Sequence, residues 1–414
     1  MPLATYYELL KDYIEFQTIQ DTTIFAIEAE KTINRFSKIL KKSGFEVQNH
    51  AIQSIPTLVA KYIHNKNLPT VIIYTYYDLI MSEVSNDWKN NPFNLYLGKD
   101  EIIGKGVAEN KGQFLACLTS ISHLIDEGKL GYNVIFLIDG CQNHIGANIK
   151  TFLEESYEEL QSDFCFCCAG QGVLESPTID IAQRGSMNFD IILSGNEINP
   201  LREMSKLISK GYTFNGKVAI PYFYYNIQGY KPTVEVKRYG TNMEYKTITK
   251  SQKPSYTTLE PTLDLTGIVS LPKFDKSQSI PKKVVANFQM KLVADQNYPE
   301  MIKGLQQWLK TIAPTQLKTE LIIHEAFNPI KLPLTNFYAQ KAFSLIMKNR
   351  DQTPENQQKK IGIKALEAIQ STICPTILSI PFANKSSNIG ETNENLKNEQ
   401  VKKIFDFCTE FFKG

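Results

Sequence analysis

Histidine is scarce in this sequence: five in 414 residues, His50, His64, His123, His144 and His324. A metal centre built mainly on imidazoles has little to draw on. Long apolar runs are missing as well, since no stretch approaches the roughly 18 consecutive apolar residues of a membrane-spanning helix. The N-terminus MPLATYYELLKDYIEFQTIQ is amphipathic and lacks the basic and apolar segments of an export signal. The expectation is a cytoplasmic protein with no membrane contact. Neither charge sign is in excess, with 45 Lys+Arg against 43 Asp+Glu and a formal net charge of +2. No basic stripe interleaves with aromatics, which argues against a nucleic-acid partner. A disulfide framework is absent too: the seven cysteines, Cys117, Cys141, Cys165, Cys167, Cys168, Cys374 and Cys408, are odd in number and follow no scaffold spacing. They are read as reduced.

What is present is ordinary globular composition, 42% hydrophobic and 21% charged, enough to bury a normal core. A chain of 414 residues implies about two or three domains, and two is the starting expectation. TYYELLKDYIEFQ, TIFAIEAEKTINRFSKILKKSG, GQFLACLTSISHLIDEG and NIKTFLEESYEEL carry helical periodicity, while TLVAKYIH, LPTVIIYTYYDL, YNVIFLID and DFCFCCA read as strands. Helices alternating with short apolar strands predict an α/β fold with a mainly parallel sheet covered on both faces. In DFCFCCAG the thiols can be read as metal ligands or as strand residues. The apolar run bounded by Asp163 and Gly170 favours a buried strand, in which cysteine packs as a small hydrophobe.

The pattern changes after Arg184-Gly185. SMNFDIILSG and VVANFQMKLVA alternate polar with apolar residues, and each precedes a helical segment, NPLREMSKLISKG and YPEMIKGLQQWLKTIA. Such pairing predicts an α+β domain with helices on one face of an antiparallel sheet. The first style returns near residue 327, so residues 1–186 and 327–414 are expected to form one discontinuous α/β domain and 187–326 an inserted α+β lid. DQTPENQQKK reads as a solvated polar loop or helix start.

Several segments, in order, resemble one family, the zinc aminoacylases, dipeptidases, carboxypeptidases and succinyl-diaminopimelate desuccinylases of metallopeptidase family twenty. YTYYDLI is similar to the family's strand ending in H-x-D, DWKNNPF to W-x-x-x-P-F, and GKGVAENKG to G-R-G-x-x-D-x-K-G. FLIDGCQNHIGA resembles F-x-E-G-x-E-E-x-G-S, IAQRG resembles Y-G-x-R-G, and IGETNEN resembles the late H-x-x-N-E-x. GKVAIPYFYYNI, PTLDLTGI and IPKKVVANFQMKLVADQNYP match segments of the dipeptidase branch and of the family's small domain. The resemblance implies a zinc-exopeptidase-like catalytic domain with a lid that also forms a homodimer. It further implies two zinc ions sharing a carboxylate, clamping a water and the scissile carbonyl, with a Glu as general base.

Position by position, the implied donors are replaced. Tyr76 stands where the resemblance calls for the first His, and a phenol of pKa about 10 is a poor ligand at neutral pH. Asp78 is retained, at the position that would orient that His. Glu109 takes the place of the bridging Asp. The Glu-Glu pair, base then ligand, falls on Asn143-His144 if aligned through Gly146 and on Gln142-Asn143 if aligned through Asp139-Gly140; neither register supplies a base. The next carboxylate would lie near Ala169 or Gly170, and the last His aligns with Gly390, beside retained Asn393 and Glu394. The small domain's H-S-G segment is missing after Leu193-Ser194-Gly195-Asn196, and its substrate-binding Arg aligns with Lys291, which keeps charge without the bidentate fork. Gly362-Ile363-Lys364-Ala365-Leu366 stands in place of the substrate loop. Arg184, a second candidate for substrate contact, is retained together with Gly185, Lys111, Gly112, Trp88 and Pro92, which chiefly serve the fold.

Two readings follow. In the first the chain is a retired hydrolase that needs no cofactor and acts by binding a small molecule or peptide in its cleft, or by assembly. In the second it is an amide or peptide hydrolase with altered chemistry, one zinc being held by Glu109 and His144 with Asp78 or Cys141.

Overall fold

Seven consecutive buried residues mark the centre of the fold: in the strand Asn133–Asp139 both alternating faces are covered. In the computed structural model the described residues are all but 1–2, 81–87, 145–147, 173–177, 226, 228–232, 240–241, 249–259, 272–279, 333–334, 349–355 and 360–361. Gly146 and most of the polar tract 351–360 lie outside them; within that tract Asn356–Lys359 is a short strand. Two compact units emerge, one of residues 1–181, 331–357 and 363–414, the other of residues 182–330 and 358–362.

The first unit is α/β. Its six-stranded sheet runs in the order Glu46–Ile52, Ile55–Tyr62, Asn133–Asp139, Thr70–Tyr76, Phe164–Cys167, Ile377–Ser379. The first two pairings are antiparallel and the other three parallel, so the sheet is mixed and mostly parallel. The antiparallel strand Glu46–Ile52 gives no strand signal in the sequence because it mixes exposed and half-buried residues and carries no apolar run. The expected helices form as Leu3–Glu15, Phe25–Lys42 and Gly112–Asp126; NIKTFLEESYEEL breaks into Ile149–Glu155 and Tyr157–Leu160. Phe36 meets Phe114 at 5.7 Å and Phe114 meets Phe136 at 5.9 Å between ring centres, edge to face, an arrangement that adds to plain area burial. Phe166 is stacked on Phe407 and Phe411 of the last helix, Asn398–Phe412.

The second unit carries a four-stranded antiparallel sheet ordered Thr262–Leu271, Lys283–Leu292, Gly185–Ser194, Lys318–Phe327. Lys283–Leu292 alternates buried and partly buried residues, as a sheet with one covered face must. The helices Pro200–Lys210 and Tyr298–Ile312 supply that cover: Met204, Leu207, Leu305 and Trp308 share one core with Phe189 and Phe288. Among the described residues no helix is long and apolar enough to cross a membrane.

Candidate active site

Parallel pairing sets Tyr76 opposite Asp139, so the carboxyl ends of Thr70–Tyr76 and Asn133–Asp139 open side by side. In open α/β sheets this end is where ligands settle. Beyond it the Tyr77 amide donates to the Asp139 carbonyl at 2.8 Å. Gly140 follows, where a Cβ would come within 2.4 Å of the Tyr77 ring, so this close approach requires glycine.

The Tyr76 phenol is buried and donates to Glu109 Oε1 at 3.3 Å. Burial, and next the Glu109 charge, push its pKa well above the usual phenol range, so it stays a neutral donor. Glu109 lies in a five-residue π-helix, Val107–Lys111. A left-handed Gly106 (φ 79°) leads into this helix, where a Cβ would lie 2.8 Å from Leu79. The buried Glu394 carboxylate gathers the turn, accepting from the amides of Gly106 (2.9 Å), Ala108 (2.9 Å) and Glu109 (2.8 Å). Such charge-assisted bonds at the start of a helical turn are the strong kind. Asn110 accepts from Thr75 Oγ1 at 2.9 Å and donates to the Tyr76 carbonyl. Buried Lys111 caps the end of the first helix through the carbonyls of Tyr13 (2.9 Å) and Phe16 (3.0 Å), its ammonium 4.7 Å above the Tyr13 ring.

The retained Asp78 is fully buried and its carboxylate is occupied. It accepts from the amides of Asn143 (2.6 Å) and Gln142 (3.3 Å) and from Gln20 Nε2 (3.4 Å). Gln20 also donates to the Gly140 carbonyl at 3.0 Å and meets His144 Nδ1 at 2.8 Å through its own oxygen. His144 is thus tied to Gln20, and its carbonyl accepts from Lys364 at 2.6 Å. Asp139, the carboxylate beside the altered Glu-Glu position that could serve as base in the second reading, is buried: Oδ1 accepts from the Cys141 amide (3.0 Å) and the Tyr74 hydroxyl (3.2 Å), while Oδ2 has no hydrogen-bond partner among the described residues. Burial pushes the Asp139 carboxyl up to about 7, the Asp78 charge adding to it. The Glu109 carboxyl also rises to about 7, through burial and then the Glu394 charge.

Ala169-Gly170 is held at this place through its backbone: the Gly170 amide donates to the Glu109 carbonyl at 2.6 Å, and the Gln113 side chain bridges the Ala108 and Gly170 carbonyls. Gly390 is left-handed (φ 79°), and a Cβ there would meet nothing within 4 Å. The neighbouring Asn393 accepts from the Lys89 amide at 2.9 Å. In the second unit Arg184 donates to the Glu260 carbonyl at 2.7 Å, and Lys291 pairs with Ser186 and Thr262 across the sheet. Among the described residues Tyr76, Glu109, Asp78 and His144 contribute to no group of three His, Cys, Asp or Glu donors within metal-holding distance; the group that exists is Cys117, Cys168 and Cys408. A zinc site takes three or four such donors, so this donor set does not fit the two-zinc centre implied by the resemblance.

No protein-family profile matches the sequence. A probable di- and tripeptidase, DUG2, of Saccharomyces cerevisiae is 22% identical over 370 residues, covering 83% of this chain and 41% of the yeast protein. A succinyl-diaminopimelate desuccinylase of Orientia tsutsugamushi is 26% identical over 223 residues, 49% of this chain and 54% of that one. The chain therefore spans about half the length of these curated relatives. Among solved structures, the M20 family metallo-carboxypeptidase Sso-CP2 of Sulfolobus solfataricus superposes with a TM-score of 0.80 at 18% identity over 98% of both chains. Human carnosine dipeptidase 1 gives 0.75 at 15% identity over 99% of this chain and 96% of its own. Homologues and structural neighbours alike are M20 family metallopeptidases, dipeptidases among them. The fold described above is theirs.

Proposed function

We propose that this chain is a non-catalytic relative of the M20 dipeptidases and aminoacylases, which keeps their scaffold and acts by binding or assembly. The observation that carries the reading is the hydrogen bond from Tyr76 to Glu109 at 3.3 Å. Where the family resemblance calls for an imidazole and a bridging carboxylate on zinc, a neutral phenol satisfies the one carboxylate instead. The base position supports the same reading, because Asn143 spends its amide and side chain on Asp78 and a carboxamide takes up no proton. A peptide or small molecule in the cleft would meet hydrogen-bond donors and acceptors with no activated water. All seven cysteines are buried, and the reading places the chain in the cytoplasm; assembly would take the form of a homodimer through the smaller unit.

The test is a hydrolysis screen over dipeptides, N-acyl amino acids and succinyl-diaminopimelate, with zinc, manganese or cobalt added. No turnover above background is expected. Losing the base alone costs about 10²- to 10⁴-fold and losing the metals more. Turnover that survives purification and vanishes in Glu109→Ala would contradict the proposal. It would favour the second reading, an amide hydrolase with altered or single-metal chemistry. Burial speaks for that reading, because it pushes the Glu109 and Asp139 carboxyls up to about 7, a range suited to general acid–base work.

A further inference from the structure

We propose that Cys117, Cys168 and Cys408 form a buried three-sulfur site for a single soft monovalent cation, copper(I). The three residues come from distant parts of the sequence: the helix Gly112–Asp126, the residue that follows the strand Phe164–Cys167, and the C-terminal helix Asn398–Phe412. Their sulfur atoms all lie within 4.8 Å of one another. Cys117 and Cys408 are fully buried and Cys168 is 4% exposed.

Geometry and donor type choose the ion. Metal–sulfur bonds of about 2.3 Å hold the sulfurs of a mononuclear site about 4 Å apart, so this triad brackets one atom with little closure. That spacing is too tight for an iron–sulfur cluster, whose thiolates embrace several irons and usually number four. Zinc prefers a closed tetrahedron with a fourth nitrogen, sulfur or carboxylate donor, and among the described residues no His, Asp, Glu or further Cys joins this group. Thiolates are soft ligands and copper(I) is a soft ion that is complete with three of them. The competing account is plain packing, since free cysteine serves well as a small core hydrophobe. It explains one buried thiol at a time and gives no reason for three to converge from three elements. A bound ion would tie the C-terminal helix to the sheet and to the helix Gly112–Asp126.

Because the site is sealed, the ion would enter as the chain folds, and the experiment has to supply it then. The protein is produced in copper-supplemented cells and purified without oxygen in the presence of glutathione. Copper is then counted and its neighbours identified by X-ray absorption. The expected result is about one copper per chain with sulfur neighbours only, and a melting temperature several degrees above that of copper-free protein. Cys117→Ser and Cys408→Ala should each lose the copper, while Cys374→Ser, outside the triad, should keep it. Copper near zero in the unaltered chain overturns the proposal, as does copper retained in both triad variants. Should those variants fail to fold, the unaltered chain decides alone: nitrogen or oxygen neighbours around its copper overturn the proposal and an all-sulfur shell upholds it.

Discussion

Glu109 and Asp139 are expected to make the stability of this fold depend on pH. Both carboxyls rise to about 7 in the folded chain, from ordinary values of 4.5 and 3.8. Between those limits the folded state holds protons that the unfolded state has released. Their contribution to stability is therefore complete below about pH 4 and is lost as pH climbs through about 7. Lys111, lowered to about 7 by burial, acts in a separate window: it weighs against the folded state at neutral pH and below, and that burden lifts as pH rises toward the ordinary lysine value. The melting temperature should accordingly fall between pH 5 and pH 7.5, and the double variant Glu109→Gln, Asp139→Asn should flatten the slope and melt higher than the parent at pH 7.5. A slope unchanged by the double substitution would remove this account. At this scale the sequence reveals residue types but not their partners. Tyr76, Asp78 and Glu109 stand out because each lies inside a recognisable segment. Gln20, which joins Asp78, Gly140 and His144, lies outside every such segment and gives no signal.

Elements with a regular period are legible, and those shaped by distant contacts are not. The helix Tyr298–Ile312 is announced by Asn297, whose side chain accepts from the Glu300 amide at 3.0 Å, and by the proline after it. Asn297→Ala should cost about 1 kcal/mol in urea unfolding. The π-helix Val107–Lys111 is different: five residues carry no period, and the carboxylate that closes the turn, Glu394, lies 285 positions from Glu109. Its retention is visible in the sequence, but its three amide bonds are not. Removing it in Glu394→Ala leaves those buried amides unpaired, and the expected loss is about 3 kcal/mol or more. Glu394→Gln, which keeps an acceptor of the same shape, should lose less. Equal losses in the two variants would mean that packing, not the amide bonds, holds the turn.

At the scale of the whole molecule, the α/β and α+β characters of the two units follow from the switch between buried strand runs and alternating ones, so they are legible in the sequence. The antiparallel edge Glu46–Ile52 is not, because a strand of mixed exposed and half-buried residues leaves no apolar trace. The proposed homodimer draws support from the strand Thr262–Leu271 of the second unit, where Leu265, Ile268, Val269 and Leu271 are exposed; an apolar edge strand with no further neighbour among the described residues invites a partner. Light scattering at micromolar concentration should give twice the chain mass, and a monomer would contradict the pairing. The cleft is proposed to hold too few donors for zinc. The most direct test of this central claim is zinc per chain in the protein as purified, measured in parallel on Cys117→Ser so that the thiol triad does not enter the count. Well under one zinc per chain is predicted, with a melting temperature unmoved by EDTA, since an unoccupied site adds nothing to stability. One or two zinc ions per chain in both proteins, with melting lowered by EDTA, would show that the cleft still holds its metals and would contradict the account.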